Sequence, residues 1–176
     1  DIFTIQEIKK KSISKLKLCW IGDANNNMMN SLIEACIKFS VYLNIACPKS
    51  YKPNKKLTSL IKKQKGKIKI FNKKEIAIKN SDVVMTDKII SLNDKVNKKK
   101  KLKLFRNFKL DTKTLSLAKK DAIFLHCLPR GSEVTEEVFL GKQSKVWQQA
   151  LNRVYVQKSI LLLSLIHISE PTRREY

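Results

Sequence analysis

Acidic residues are scarce in this chain. Fifteen Asp and Glu stand against 37 Lys and Arg in 176 residues, a formal net charge of +22. Histidine is scarcer still, at two residues. The four cysteines, Cys19, Cys36, Cys47 and Cys127, show no C-x-x-C spacing, and no His-x-x-x-His accompanies them. A zinc site is therefore disfavoured, and neither a metal nor a cofactor is expected. Cys19, Cys36 and Cys47 sit in apolar segments and read as buried thiols in a reducing compartment, which suggests a cytoplasmic protein. Long hydrophobic runs are missing too: "SILLLSLIHI" is too short for a membrane span, so no membrane association is expected. The opening "DIFTIQEIKK" has neither the look of a secretory leader nor an initiator Met, and the expectation is a chain that continues a longer protein. The excess of positive charge first suggests nucleic acid or an anionic membrane. However, Lys is abundant together with Ile and Asn, as in AT-rich coding sequence, and it is spread along every segment, with "NKKKKLKLF" the only dense run. The charge is best read as solvated faces with no specific nucleic-acid partner, leaving a basic nucleic-acid-binding module as the rival.

What is present is an alternation of apolar strands and amphipathic helices. Residues 1–8 read as a helix with Ile2, Phe3, Ile5 and Ile8 in a stripe, and "KKKSISK" as a connector. "KLKLCWIGD" is a strand that stops at Gly22-Asp23. "NNNMMNSLIEACIKFS" is a helix with Met29, Leu32, Ile33, Cys36 and Ile37 on one face and an Asn to cap it. "VYLNIACP", "KIKIF", "DVVMTD" and "AIFLHCLP" are further strands, separated by helix candidates at 54–64 and 74–78. Residues 88–120 carry few apolar positions and read as a long loop followed by a helix near 112–119. "SKVWQQALNRVYVQKSILLLSL" reads as one helix with Val146, Ala150, Val154, Gln157 and Leu161 roughly in line. Strands that are near-continuous apolar runs, alternating with helices, imply an α/β fold: a doubly wound, Rossmann-like parallel sheet covered on both faces. Such sheets bind ligands beyond the carboxyl ends of their strands. Polar groups gather there at "GDANNN", "TDKIIS" and "HCLP". The division expected is a helix and connector at 1–14, an α/β domain at 15–163, and a tail at 164–176 that resembles read-through of a sequencing adapter.

From residue 1 to about residue 163 the chain resembles the ornithine-binding, C-terminal half of ornithine carbamoyltransferase. "GDANNNMMNSLIEA" is similar to the family's G-D-x-x-N-N…N-S block, and "TDKIIS" to its T-D-x-x-x-S-M-G motif. "FLHCLPRGSEVTEEVF" carries H-C-L-P, and "VWQQALNRVYVQKSILL" resembles the final helix with its Asn-Arg pair. The sequence departs from the family at Ile89 (usually Trp), at Leu92 and Asn93 (usually Met and Gly) and at Leu151 (usually acidic), and the segment after Pro129 is shorter than in many members. The family's Ser-Thr-Arg-Thr phosphate loop and His-Pro-x-Gln motif are not in this sequence.

The resemblance implies carbamoyl transfer from carbamoyl phosphate to the δ-amine of L-ornithine, giving citrulline and phosphate. The amine must lose its proton to attack, at a cost of roughly 4–5 kcal/mol at pH 7 for an ordinary alkylammonium; a dry site recovers part of this. By the resemblance, Asp87 and Ser91 hold the α-ammonium of ornithine, Leu92 offers a backbone group, and Asn27 holds the α-carboxylate. Cys127 faces the reacting nitrogen, and Leu128 contributes its carbonyl. Arg153 stabilises the oxyanion that develops on carbamoyl phosphate. Read without the family, each has a plainer role: Asp87 a turn cap, Asn26 or Asn27 the helix cap, Cys127 a core thiol and Arg153 an exposed helix residue. His126 is best read as a hydrogen-bonded structural histidine and Asp23 as a turn former. The partners implied are an N-terminal carbamoyl-phosphate domain and, for the complete enzyme, two further copies in a homotrimer. Without that domain, Ile2, Phe3, Ile5 and residues 160–163 are expected to lie exposed. A carbamoyltransferase acting on another amine or amino acid is the rival within the class.

Overall fold

The structure, a computed structural model, describes residues 1–64, 66–90 and 97–169. Its elements are α1 (Ile2–Lys9), β1 (Lys17–Ile21), α2 (Asn27–Lys38), β2 (Tyr42–Ala46), α3 (Lys55–Lys62), β3 (Ile68–Phe71), α4 (Lys74–Ile78), β4 (Val83–Thr86), α5 (Lys98–Phe105), α6 (Thr112–Leu115), β5 (Ile123–His126), α7 (Glu136–Phe139) and α8 (Val146–Ser169), with short 3-10 turns between some of them. The strands form one five-stranded sheet in the order β3-β2-β1-β4-β5, and every pairing is parallel.

Strand periodicity divides the core in two. Leu18 and Trp20 of β1 point to one face, where Ile5, Met29, Ile33, Leu57 and Ile61 cover them. Cys19 and Ile21 point to the other, against Ile78, Phe105, Leu115 and Val138. Helices α1 to α3 thus lie on one face and α4 to α7 on the other, as the apolar strand runs imply. The order reverses at β1: the chain winds outward through β2 and β3, then returns to pair β4 with β1. That reversal opens a crevice at the carboxyl ends of β1 and β4.

Several sequence expectations need correction. Residues 98–105 are a helix, not a loop: the Asn97 side chain accepts from Lys100 N at 3.3 Å, and Lys is a good helix former. The helix expected near 112–119 is shorter, ending at Leu115. Ile5 is fully buried while Phe3 is exposed, because α1 turns its Ile5 face into the first core. Only Val146 of the expected α8 stripe is buried, and Val154 and Leu161 are exposed; residues 160–163 are exposed, as expected. The helix also continues through residue 164 to Ser169 without a break. Its first turns are fixed to α1 by Asn152, whose Nδ2 donates to Thr4 Oγ1 at 3.1 Å and Glu7 Oε2 at 2.7 Å. Among the described residues no helix is long and apolar enough to cross a membrane.

Candidate functional site

The register of β4 and β5 pairs Thr86 with His126, so the next residues, Asp87 and Cys127, emerge side by side at the sheet edge. The Cys127 thiol donates to Asp87 Oδ1 at 2.8 Å, and the same oxygen accepts from Lys88 N at 2.8 Å. Both side chains are half-buried. The Asp87 carboxylate at the carboxyl end of the sheet, with the thiol on one of its oxygens, is an acceptor suited to an ammonium group.

Across the crevice, β1 is followed by Gly22, whose φ of 143° lies where L side chains are strained, which suits the chain's sharp exit from the strand. Asp23 organises the turn that follows. Its Oδ1 accepts from Asn25 N at 2.8 Å, and its carbonyl accepts from Trp20 Nε1 and Asn26 Nδ2, each at 3.1 Å. Asn26 is the cap of α2, accepting from Met29 N at 2.8 Å. Asn27 is therefore not the cap: it is the first helical residue, exposed, at a helix end whose free N–H groups and dipole favour anions.

His126 sits behind this edge, 2% exposed. Its Nδ1 bonds the Cys127 carbonyl and its Nε2 bonds Glu133 Oε1 at 2.9 Å. Glu133 also accepts from Gly131 N at 2.6 Å. Burial opposes charge on the ring, but the bonds to Cys127 and Glu133 outweigh it and push the His126 pKa up to about 10. Burial likewise opposes charge on Glu133, and the His126 and backbone donors more than offset it, holding the carboxyl below its ordinary value. The pair is an imidazolium and a carboxylate that fix the H-C-L-P turn from within. Gln149 of α8 completes the support, accepting from His126 N at 2.9 Å and donating to Asp1 Oδ1 at 2.7 Å.

Arg153 is exposed on α8, one turn after Gln149 and on the same helix face. Leu128 is exposed at the start of the turn. Ser91 and Leu92, with the departure at Asn93, lie outside the described residues. Ile89 is buried in the second core, and Leu151 is exposed. The geometry thus brings together Asp87 and Cys127, sets Leu128 beside them, and places Asn27 at the neighbouring strand end. It adds Glu133 and Gln149, which sequence reasoning missed; a carboxylate seven residues after a histidine in "HCLPRGSE" was the available signal. Among the described residues no group of three or more His, Cys, Asp or Glu is arranged to hold a metal ion. A cavity of about 470 Å³ lies at the opposite end of β5, beside Lys9, Asp121 and Ile123, far from these strand ends.

The family described as Aspartate/ornithine carbamoyltransferase, Asp/Orn binding domain, matches residues 14–164. The chain belongs to that carbamoyltransferase family. The ornithine carbamoyltransferase of Methanococcus maripaludis (strain C5) is 44% identical over 169 residues, covering 92% of this chain and 55% of the relative. That of Methanosarcina acetivorans is 37% identical over 164 residues, covering 92% and 54%. Among solved structures, the anabolic ornithine carbamoyltransferase from Campylobacter jejuni superposes with a TM-score of 0.84 at 39% identity, over 93% of this chain and 55% of that one. The ornithine carbamoyltransferase from Pyrococcus furiosus gives 0.81 at 34% identity, over 92% and 53%. The chain spans about half the length of the curated relatives it matches, 54% for the Methanosarcina protein. The segments that follow β1, β4 and β5 carry Asn27, Asp87 and Cys127 with Leu128 respectively.

Proposed function

We propose that this chain supplies the ornithine-binding half of an ornithine carbamoyltransferase. The reaction is transfer of the carbamoyl group from carbamoyl phosphate to the δ-amine of L-ornithine, a step of arginine biosynthesis or the urea cycle. The observation that carries this reading is the Asp87–Cys127 pair, bonded at 2.8 Å in a domain whose relatives act on ornithine. Asp87 and Ser91 take the α-ammonium, Leu92 offers a backbone group to the ligand, and Asn27 takes the α-carboxylate. Cys127 orients the δ-nitrogen, and Leu128 and Arg153 meet the carbamoyl group. A free α-ammonium partner favours ornithine over putrescine or an N-acetylated substrate. Carbamoyl phosphate is held mainly by a second domain whose phosphate-loop motifs are not in this sequence, and the complete enzyme is a cytoplasmic homotrimer. Residues 164–176 take no part.

The test joins the carbamoyl-phosphate half of the Methanococcus maripaludis relative to this chain ahead of Asp1. The fusion is expected to form citrulline and the chain alone to form none. Asp87→Asn in the fusion should raise the ornithine KM and lower kcat/KM by about 3 kcal/mol, the scale of breaking a desolvated charge pair. The carbamoyl-phosphate KM should barely move. A fusion that carbamoylates another amine in preference to ornithine would shift the assignment to the rival substrate class.

A further inference from the structure

The lysine run 98–101 is not uniform. Lys98, Lys99 and Lys100 are exposed, whereas Lys101 turns inward with Phe105, one helical turn apart on the buried face of α5. Lys101 Nζ lies 2.9 Å from Asp23 Oδ2, with the two side chains 5% and 9% exposed. The same ammonium sits 5.2 Å from the centre of the Tyr51 ring. Phe105 also packs on Tyr51, edge-on at 4.9 Å between centroids. Tyr51 in turn holds the turn after β1 from behind, its carbonyl accepting from Ala24 N at 3.0 Å. One cation therefore touches both groups that shape the segment 23–27: the carboxylate that organises it and the aromatic residue that backs it.

Stability alone does not account for this arrangement. Removing a lysine and an aspartate from water is costly, and apolar residues of the same volume often serve a core equally well. What a charged pair adds is a fixed relation between two particular segments, here α5 and the turn that presents Asn26 and Asn27. We propose that Lys101 is a positioning residue for ornithine recognition: it ties α5 to Asp23 and Tyr51 and so sets where the N-terminus of α2 stands in the crevice. The inference rests on the ornithine reading above for its ligand, and on the Lys101 contacts for its geometry.

The experiment uses the fusion enzyme with Lys101→Met, Lys100→Met and the double variant Asp23→Asn/Lys101→Met. Lys101→Met should raise the ornithine KM roughly tenfold to a hundredfold, the scale of a displaced binding group, with the carbamoyl-phosphate KM changed by no more than about twofold. Lys100→Met should behave as wild type. The single variant leaves Asp23 buried and unpaired, so its melting temperature should fall; the double variant removes that charge and should recover it. The ornithine KM should stay raised in the double variant, because the tie to α5 is still absent. A KM that recovers with the melting temperature would reduce Lys101 to a purely structural role and overturn the inference, as would equal rises in both KM values. A separate readout is the indole N–H resonance of Trp20, which donates to the Asp23 carbonyl. It should shift in both Lys101 variants and not in Lys100→Met. If the wild-type fusion makes no citrulline, the ornithine reading fails; an unmoved indole resonance would instead show that Lys101 does not set the turn.

Discussion

At the scale of single residues, the ring of His126 carries the clearest electrostatic statement in the molecule. Its nitrogens face a carbonyl, which can only accept, and a carboxylate that already accepts a backbone N–H. Both nitrogens therefore donate, and the ring is a cation. The linkage has a definite sign. A pKa raised from 6.5 to about 10 gives stability that is fully present below 6.5 and lost as pH rises toward 10. A carboxyl lowered from 4.5 gives stability present above 4.5 and lost as pH falls through its folded value. Glu133→Gln keeps a hydrogen-bond acceptor and removes the charge. It should cost about 3 kcal/mol near pH 6, and the gap to wild type should narrow steadily toward pH 10, read from urea midpoints across that range. Comparing the two proteins at each pH cancels the repulsion of the +22 net charge, which changes over the same interval. His126 as a structural histidine was legible in the sequence because a histidine at a buried strand end must be satisfied. Its partner was harder to find: within "SEVTEE" nothing separates the buried Glu133 from its solvated neighbours Glu136 and Glu137, and only its place seven residues after His126 points to it.

At the scale of elements, three consecutive asparagines divide their work by geometry. Asn25 takes the Asp23 carboxylate with its backbone, Asn26 caps α2, and Asn27 stands exposed on the first turn. Asn26→Ala should destabilise the domain by about 1 kcal/mol, the usual cost of an N-cap. Asn27→Ala should shift stability by less than about 0.5 kcal/mol yet weaken ornithine binding. Urea titration and substrate kinetics on the same two variants separate the roles. The strands and α2 were legible because their apolar residues repeat at the periods of sheet and helix. Helix α5 was not, because its buried face is Lys101 and Phe105: one of the two positions that define the face is a lysine, and the aspartate that admits it lies in a turn far upstream. Periodicity cannot register a buried charge, since the pairing that justifies it is tertiary.

At the scale of the whole molecule, the lysines are distributed over helices on both faces of the sheet and over the connections between them. Duplex DNA binding is accordingly expected to be weak and non-specific, and to vanish between roughly 50 and 200 mM salt as counterions compete. A filter-binding titration at several salt concentrations checks this; sequence-selective binding near 10⁻⁸ M at physiological salt, a value on the order of specific complexes, would contradict it.

The strand order also bears on how the sheet can assemble. Strands β1, β2 and β3 pair with neighbours close along the chain, as β4 does with β5, so each set can gather as a lobe of its own. The seam between the lobes is β1 against β4, begun by Lys17 N donating to Asp82 Oδ2 across 65 residues. Closing that longer loop costs about 1 kcal/mol more entropy than joining β1 to β2, and about 0.4 kcal/mol more than joining β4 to β5, which favours the seam forming last. Asn27 belongs to one lobe, Asp87 and Cys127 to the other, so an intermediate with both lobes built still has no crevice. A chain that closes this seam last completes its crevice last, so a lesion that slows seam closure is expected to delay the appearance of function more than the appearance of secondary structure.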